Sequence, residues 1–272
     1  MSTNPFTDPR LIAEHLYTSP ARLAARSGTL HAAKISGHDA TTTIVELAAR
    51  QTAASTPVIC DIGCGRGTTT LALATALPTA RLIAVDQSQP LLDTVTQRLH
   101  RAEHRVETIC ADFHDLPLPQ GTVDPAVAAF CLYHSAQPAQ VIDQIAAILP
   151  PGGHAVLATN PRTATPRSTR CSPPAAWTRH ATARPSLHQT FHSANAAEIV
   201  SSALEVTDIV HQQHVFRFAD LDQLAAYIAT SPKYTLSFHG DAEQVADELR
   251  RRIPDAALVA TSTFTYITAT RR

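Results

Sequence analysis

Lysine is almost missing from this sequence: Lys34 and Lys233 are the only two in 272 residues, and arginine supplies the rest of the basic charge. With so much alanine, that bias reads as a GC-rich genome rather than a functional signal. Net charge is missing too. The formal value is −1, so no global field draws the chain to nucleic acid or to an anionic membrane. Paired cysteines are absent: Cys60, Cys64, Cys110, Cys131 and Cys171 form no Cys-x-x-Cys. This argues against a zinc site, so no metal is expected. Four of the five fall in or beside apparent strands, as buried thiols of a reducing cytosol would. No apolar run approaches a membrane span, and Asp8 and Glu14 leave no room for an apolar signal region. These absences predict a soluble, cytoplasmic protein with no membrane or nucleic-acid partner. What is present, 44% hydrophobic and 17% charged residues, suffices for a full core in one large domain or a domain with a substantial insertion.

The informative stretch is Val58-Ile59-Cys60-Asp61-Ile62-Gly63-Cys64-Gly65-Arg66-Gly67. An apolar run meets alternate glycines, and a helical pattern follows. The order predicts a buried strand, a tight turn and the first turn of a helix. Glycine lets backbone approach a ligand closely, and helix N-termini present unpaired N–H groups. A nucleotide-type loop at the first crossover of an α/β sheet is one reading; a turn that only turns is the other.

Before this stretch, apolar spacing in 11–16, 20–26 and 43–50 predicts helices. They either cover the sheet or fold over a ligand with Tyr17, Arg22, Arg26 and His31. From 58 to 159 strands alternate with helices: strands at 58–62, 82–85, 106–110, 126–132 and 154–159, helices at 67–77, 138–149 and around Leu91, Leu92, Val95 and Leu99. This is the pattern of a parallel sheet with right-handed crossovers, covered on both faces. Residues 160–190 are rich in Pro, Thr, Ser and Arg, and no acid occurs between Asp143 and Glu198. The tract is a solvated loop or a flap meeting an anionic substrate. Further on, a helix at 193–204 and a strand at 205–218 are expected. A second lid follows over 219–252, its helix opening with an Asp241/Gln244 capping-box start. An alternating strand, 262–269, should lie antiparallel.

Asp86, at the end of the second strand and about 20 residues beyond the glycines, can accept both hydroxyls of a ribose. NAD and S-adenosylmethionine (SAM) share that geometry. The glycines read Asp-x-Gly-x-Gly-x-Gly, no Tyr-x-x-x-Lys occurs, and the third strand ends Ala111-Asp112-Phe113. Together with Phe130-Cys131-Leu132-Tyr133-His134 and Leu149-Pro150-Pro151-Gly152-Gly153, these motifs resemble the class I SAM-dependent methyltransferases of bacterial small-molecule type, over roughly residues 55–160.

The resemblance implies a doubly wound, mostly parallel α/β sheet of seven strands with one antiparallel strand, a helical N-terminal cover and lid insertions. Its divisions would be a cover at 1–54, a SAM-binding core at 55–160, and lid elements with the last strands at 161–272. It implies that Asp61 reaches the SAM ammonium, that Gly63, Cys64 and Gly65 hold the amino-acid end, and that Asp86 and Gln87 serve the ribose. Asp112 and Phe113 would frame the adenine, with Phe130 and Tyr17 as further cofactor contacts. Tyr133 and His134 follow the fourth strand where the methyl should project, so His134 either acts as a base or merely packs. Pro125 is unusual at the entry to that strand and puts its start in doubt. There is no Asn/Asp-Pro-Pro-Tyr and no Pro-Cys, which argues against nucleic-acid methylation. The expected function is methyl transfer to a small, anionic acceptor of a secondary pathway. Peptide or protein methylation, and SAM binding without methyl transfer in a regulatory or cyclising protein, stay as alternatives.

Overall fold

The computed structural model describes residues 4–12, 20–52, 54–162, 165–166, 186–231 and 241–272. Nine strands form one sheet: β1 (Lys34–Ser36), β2 (Val58–Ile62), β3 (Arg81–Asp86), β4 (Glu107–Cys110), β5 (Ala126–Ala129), β6 (His154–Thr159), β7 (Thr165–Pro166), β8 (Glu205–Phe218) and β9 (Leu258–Thr270). The order is β1-β8-β9-β6-β5-β2-β3-β4, with β7 paired to β9. Strands β6, β5, β2, β3 and β4 run parallel, and β9 lies antiparallel to both β6 and β8. The seven expected strands are all here, with β9 running against them. Two short ones are added: β1, antiparallel to β8, and β7.

Helices α1 (Pro9–Leu11), α2 (Pro20–Ala33), α3 (Ala40–Arg50), α4 (Thr68–Ala76), α5 (Gln89–Arg101), α6 (Pro138–Ile148), α7 (Ala196–Val200), α8 (Leu221–Thr230) and α9 (Ala242–Arg250) complete the described elements. Alternation along β2 divides the core between two faces. Ile59 packs with Ile44, Leu47 and Leu73, whereas Cys60 and Ile62 pack with Ile142, Ile145 and Ile148 on the other side. The helix starts obey their local chemistry. Asp39 accepts from the Thr42 N–H at 2.9 Å, and the capping box of Asp241 and Gln244 is complete.

Three expectations need correction. The fourth strand ends at Ala129, not 132, because Phe130 turns into the left-handed region (φ 56°) and Leu132–His134 forms a 3-10 turn. The helix expected over 193–204 is confined to Ala196–Val200. The last strand starts at Leu258, four residues before the alternating stretch that predicted it, because β8 is long enough to pair with all of it. Pro125 does not displace the strand start, which falls at Ala126 as expected; the Asp124–Pro125 peptide is cis. The Asp124 side chain accepts the His154 N–H at 2.9 Å, joining the two neighbouring strands at their entry.

Candidate active site

The parallel strands end in a cavity of about 800 Å³, toward the upper end of the range for small-molecule sites. Its floor is the turn after β2. Gly63 has φ 65°, and a Cβ there would lie 2.5 Å from the Cβ of Cys131. That residue of the β5 loop packs against the turn, its Sγ 3.3 Å from the Ile62 carbonyl. Gly67, at φ 70°, leads into α4; a Cβ there would meet Val95 at 2.9 Å. Only glycine satisfies both the left-handed backbone and the closeness of these neighbours.

Asp86 closes the next strand and lines the cavity. Its two oxygens accept the N–H groups of Gly65 and Ser88, each at 2.9 Å. Each oxygen keeps further acceptor capacity. Burial raises its pKa, and the backbone donors of Ser88, Gly65 and Gln87 oppose the rise. Gln87, Phe113, Phe130, Tyr133 and Cys64 also line the cavity.

Two expected ligand contacts fall elsewhere. Asp61 is buried behind the turn and does not line the cavity. Its Oδ2 accepts from the Thr70 hydroxyl at 2.6 Å. Burial pushes its pKa up to about 7, the Thr70 bond works against that, and Asp86 adds to it. Asp112 also lies outside the cavity lining. Its Oδ1 accepts the His114 backbone N–H at 2.9 Å and pairs with His114 Nδ1 at 2.6 Å. His114 Nε2 meets Ser135 Oγ at 2.8 Å, and Ser135 Oγ accepts the Gln137 N–H. This Asp-His-Ser chain joins the loops after β4 and β5. Ser135 is fully buried, so the chain braces the loops and offers no nucleophile. The stretch Asp112-Phe113-His114 contained the signal, since a histidine two residues beyond an acid can fold back on it.

His134 lies on the cavity wall, 8% exposed, with Nδ1 2.9 Å from the Phe6 carbonyl. A carbonyl only accepts, so Nδ1 carries the proton there. Burial lowers the pKa to about 4, the Phe6 bond raises it in part, and Arg26 lowers it further. The ring is therefore neutral at pH 7 and a weak base. Tyr133 stands edge-on to His188, with centroids 4.5 Å apart.

The N-terminal helix does more than cover the sheet: Leu23, Arg26 and His31 of α2 line the cavity, and Arg22 reaches the Ala229 carbonyl at 3.1 Å. Tyr17 lies outside the described residues, as do 163–164 and 167–185 of the arginine-rich tract; Arg162 and His188 line the cavity. From 219–252, Leu224, Tyr227 and Leu249 close its far side. Residues that the sequence reading missed are His214, Phe216 and Phe264, all lining the cavity. The alternation His214-x-Phe216-x-Phe218 was the signal for the first two, and the alternating stretch 262–269 the signal for Phe264. Among the described residues, no group of three or more His, Cys, Asp or Glu is placed to hold a metal ion. No described helix is long and apolar enough to cross a membrane.

A parallel sheet with a glycine turn at its first crossover and an acid ending the next strand defines a Rossmann-like nucleotide-binding core. Residues 59–153 match the family described as methyltransferase domain. The chain is 33% identical over 99 residues to a demethylmenaquinone methyltransferase of Clavibacter sepedonicus, covering 36% of this chain and 39% of that protein. It spans less than half the length of the curated relatives it matches. Its fold is similar to geranyl diphosphate C-methyltransferase from Streptomyces coelicolor A3(2), a structure holding Mg2+, geranyl diphosphate and S-adenosyl-L-homocysteine. The TM-score is 0.52 at 18% identity, over 85% of this chain and 77% of that one. It is also similar to the cyclase SpnF, with a TM-score of 0.53 at 18% identity over 84% and 80% of the two chains.

Proposed function

We propose that this protein is a SAM-dependent methyltransferase acting on a small molecule. One observation carries the reading: the glycine turn, Asp86, Phe113 and the Phe130–His134 loop all border a single cavity at the strand ends. The residues present fit the cofactor. Backbone at Gly63 and Gly65 has no side chain to keep an amino-acid tail away. Asp86 is held by Gly65 and Ser88 with acceptor capacity to spare for two ribose hydroxyls. Leu91 and Phe113 line the cavity as apolar walls for an adenine.

When bound, SAM supplies a methyl on a sulfonium, whose leaving group is already activated. The chain's own work is then placement. Tyr133 and His134 form the wall facing the strand ends, and α2 and α8 exclude water above it. The turn can hold one end of the reaction while this wall orients the acceptor. The neutral, weakly basic His134 suits an acceptor that needs little help in losing a proton.

That weak base also favours a second reading, binding of SAM without methyl transfer, as in a cyclising protein with this fold. Calorimetric titration with S-adenosylhomocysteine and NAD tests the cofactor assignment, with micromolar-range binding expected for the first and none for the second. Equal binding of NAD overturns it. Incubation of methyl-labelled SAM with extract of the source cell, followed by mass analysis, separates the two readings. Failure to form S-adenosylhomocysteine leaves only binding.

A further inference from the structure

Beyond the glycine turn and Asp86, the cavity continues into a second lobe built from the strands added to the edge of the parallel sheet. Alternation places His214, Phe216 and Phe218 on one face of β8. Their neighbours across the pair are Ser262, Ala260 and Leu258 of β9, and all six line the cavity. Small residues at 260 and 262 leave room between the larger ones.

Aromatic rings run along this wall in contact. Phe130, on the left-handed turn beside the glycine loop, meets Phe264 edge-on with centroids 5.2 Å apart. Phe264 stacks on His214 at 4.0 Å and 26°, and His214 lies parallel to Phe216 at 6.4 Å and 16°. The series starts at Phe130, beside the glycine turn, and runs along the β8–β9 side of the cavity.

The one polar side chain in this series is His214. It has no exposed surface, and neither ring nitrogen has a hydrogen-bond partner among the described residues. Buried polar groups are nearly always paired, and leaving one unpaired costs stability. Burial lowers its pKa to about 4, with Lys34 and His38 adding to the fall and Asp39 opposing it, so the ring is a neutral donor and acceptor together. A Cβ at Gly37 would lie 2.9 Å from His214 Nδ1, so Nε2 is the nitrogen left for a ligand; a hydroxyl suits it with or without its proton, whereas a carboxylate suits it only with the proton. Of the cations lining the cavity, Arg26, Arg66 and Arg162 come from outside β8 and β9, and the two nearest this lobe have partners. Lys34 Nζ donates to the His38 carbonyl at 2.7 Å, and Arg252 pairs with Glu248.

We propose that this lobe holds the methyl acceptor, and that the acceptor is a flat, uncharged, ring-bearing molecule with a hydroxyl group that hydrogen-bonds to His214. The proposal rests on the methyltransferase reading for the word acceptor, while the binding chemistry stands on the lobe. It departs from the anionic acceptor that the arginines of 160–190 suggested. His214 is accordingly retained as a binding contact at a cost to the unliganded fold.

The test is a ligand-observed NMR titration of the full chain, saturated with S-adenosylhomocysteine, using 2-naphthol, naphthalene and 2-naphthoate. The protein should bind 2-naphthol about tenfold more tightly than naphthalene, the scale of one hydrogen bond in a buried site, and 2-naphthoate no better than naphthalene. His214→Phe should erase the preference for 2-naphthol, keep naphthalene binding, and melt higher than the parent, since it removes two unpaired polar atoms. His214→Gln should retain part of the preference. In the 15N-histidine spectrum of the unaltered protein, His214 should shift with 2-naphthol and not with naphthalene. That arm decides the matter if either variant fails to fold. Tighter binding of 2-naphthoate, no binding of 2-naphthol, or a preference that survives His214→Phe overturns the proposal. Calorimetry with S-adenosylhomocysteine on the same samples reports on the cofactor reading separately, so the two can fail independently.

Discussion

The pH dependence of stability offers a direct reading of His134. In the folded chain burial holds its pKa at about 4, against about 6.5 for an unperturbed histidine. Between those values the unfolded chain binds a proton that the folded chain refuses. By linkage, unfolding free energy therefore rises with pH across that window and is flat on either side. The difference of about 2.5 pH units corresponds to about 3 kcal/mol at roughly 1.4 kcal/mol per unit. This stability is fully present above pH 6.5, is lost as pH falls towards 4, and suffers no further loss below that.

Urea unfolding of the parent and of His134→Gln, followed by circular dichroism at several pH values from 7 to 4, isolates the effect. His214 titrates in the same direction but is present in both proteins and cancels in the difference. The stability advantage of the parent over the variant should shrink by about 3 kcal/mol over that range. Parallel curves would refute the argument and place His134 in contact with water. The same low pKa bears on chemistry. Full general-base catalysis contributes roughly 10²–10⁴-fold, so His134→Gln should lower turnover by less than that. The loss expected for removal of an unperturbed histidine base should not appear.

Three further predictions concern the rest of the site. Gly63→Ala forces a methyl onto Cys131 and a left-handed backbone onto alanine, so it should cost about 2–5 kcal/mol in thermal or urea unfolding. Adding Cys131→Gly should recover the clash and leave the backbone cost, and no recovery would exclude the contact as the cause. Asp61, held near pKa 7, should release roughly half a proton at pH 7 when an ammonium-bearing cofactor tail binds the turn. Calorimetry of S-adenosylhomocysteine in buffers of different ionisation enthalpy reads this as a slope, and a zero slope would mean Asp61 does not sense the tail. Asp112→Asn and His114→Ala should each weaken S-adenosylhomocysteine binding. If Asp112 acts through His114, the double variant should be no weaker than His114→Ala alone; additive losses would instead put Asp112 on the adenine.

The contrast between Asp86 and Asp112 shows how far a sequence can be read here. Both are acids at the ends of parallel strands, and both suggested a ligand contact for the same reason. Local pattern was enough to find the strands, because buried parallel strands are continuous apolar runs, and β2, β3 and β5 each lead into a helix. Asp86 lines the cavity and accepts from Gly65, 21 residues back in the glycine turn of the same motif, and from Ser88, two residues on. Asp112 differs because its carboxylate is taken up locally, by the backbone and ring of His114 two residues on, a fold-back that the strand-end pattern does not register.

The same reasoning explains the β8–β9 lobe. Alternation within 205–218 and 262–269 predicted two strands, and both exist. What it could not contain is the register that sets Phe216 opposite Ala260 and Phe218 opposite Leu258. Nor could it show the left-handed turn at Phe130 that aims the β5 loop at Phe264. Phe130 is the instructive case. A bulky residue at positive φ is strained, and nothing in Ala128-Ala129-Phe130-Cys131-Leu132 marks the change from strand to turn, which is why the strand was extended to 132. The turn persists because two fixed neighbours hold it: the Phe130 N–H donates to the Ala158 carbonyl at 2.8 Å, and Cys131 fills the space that Gly63 leaves. A glycine and a cysteine 68 positions apart thus determine one backbone angle, and that angle connects the glycine turn to the aromatic wall.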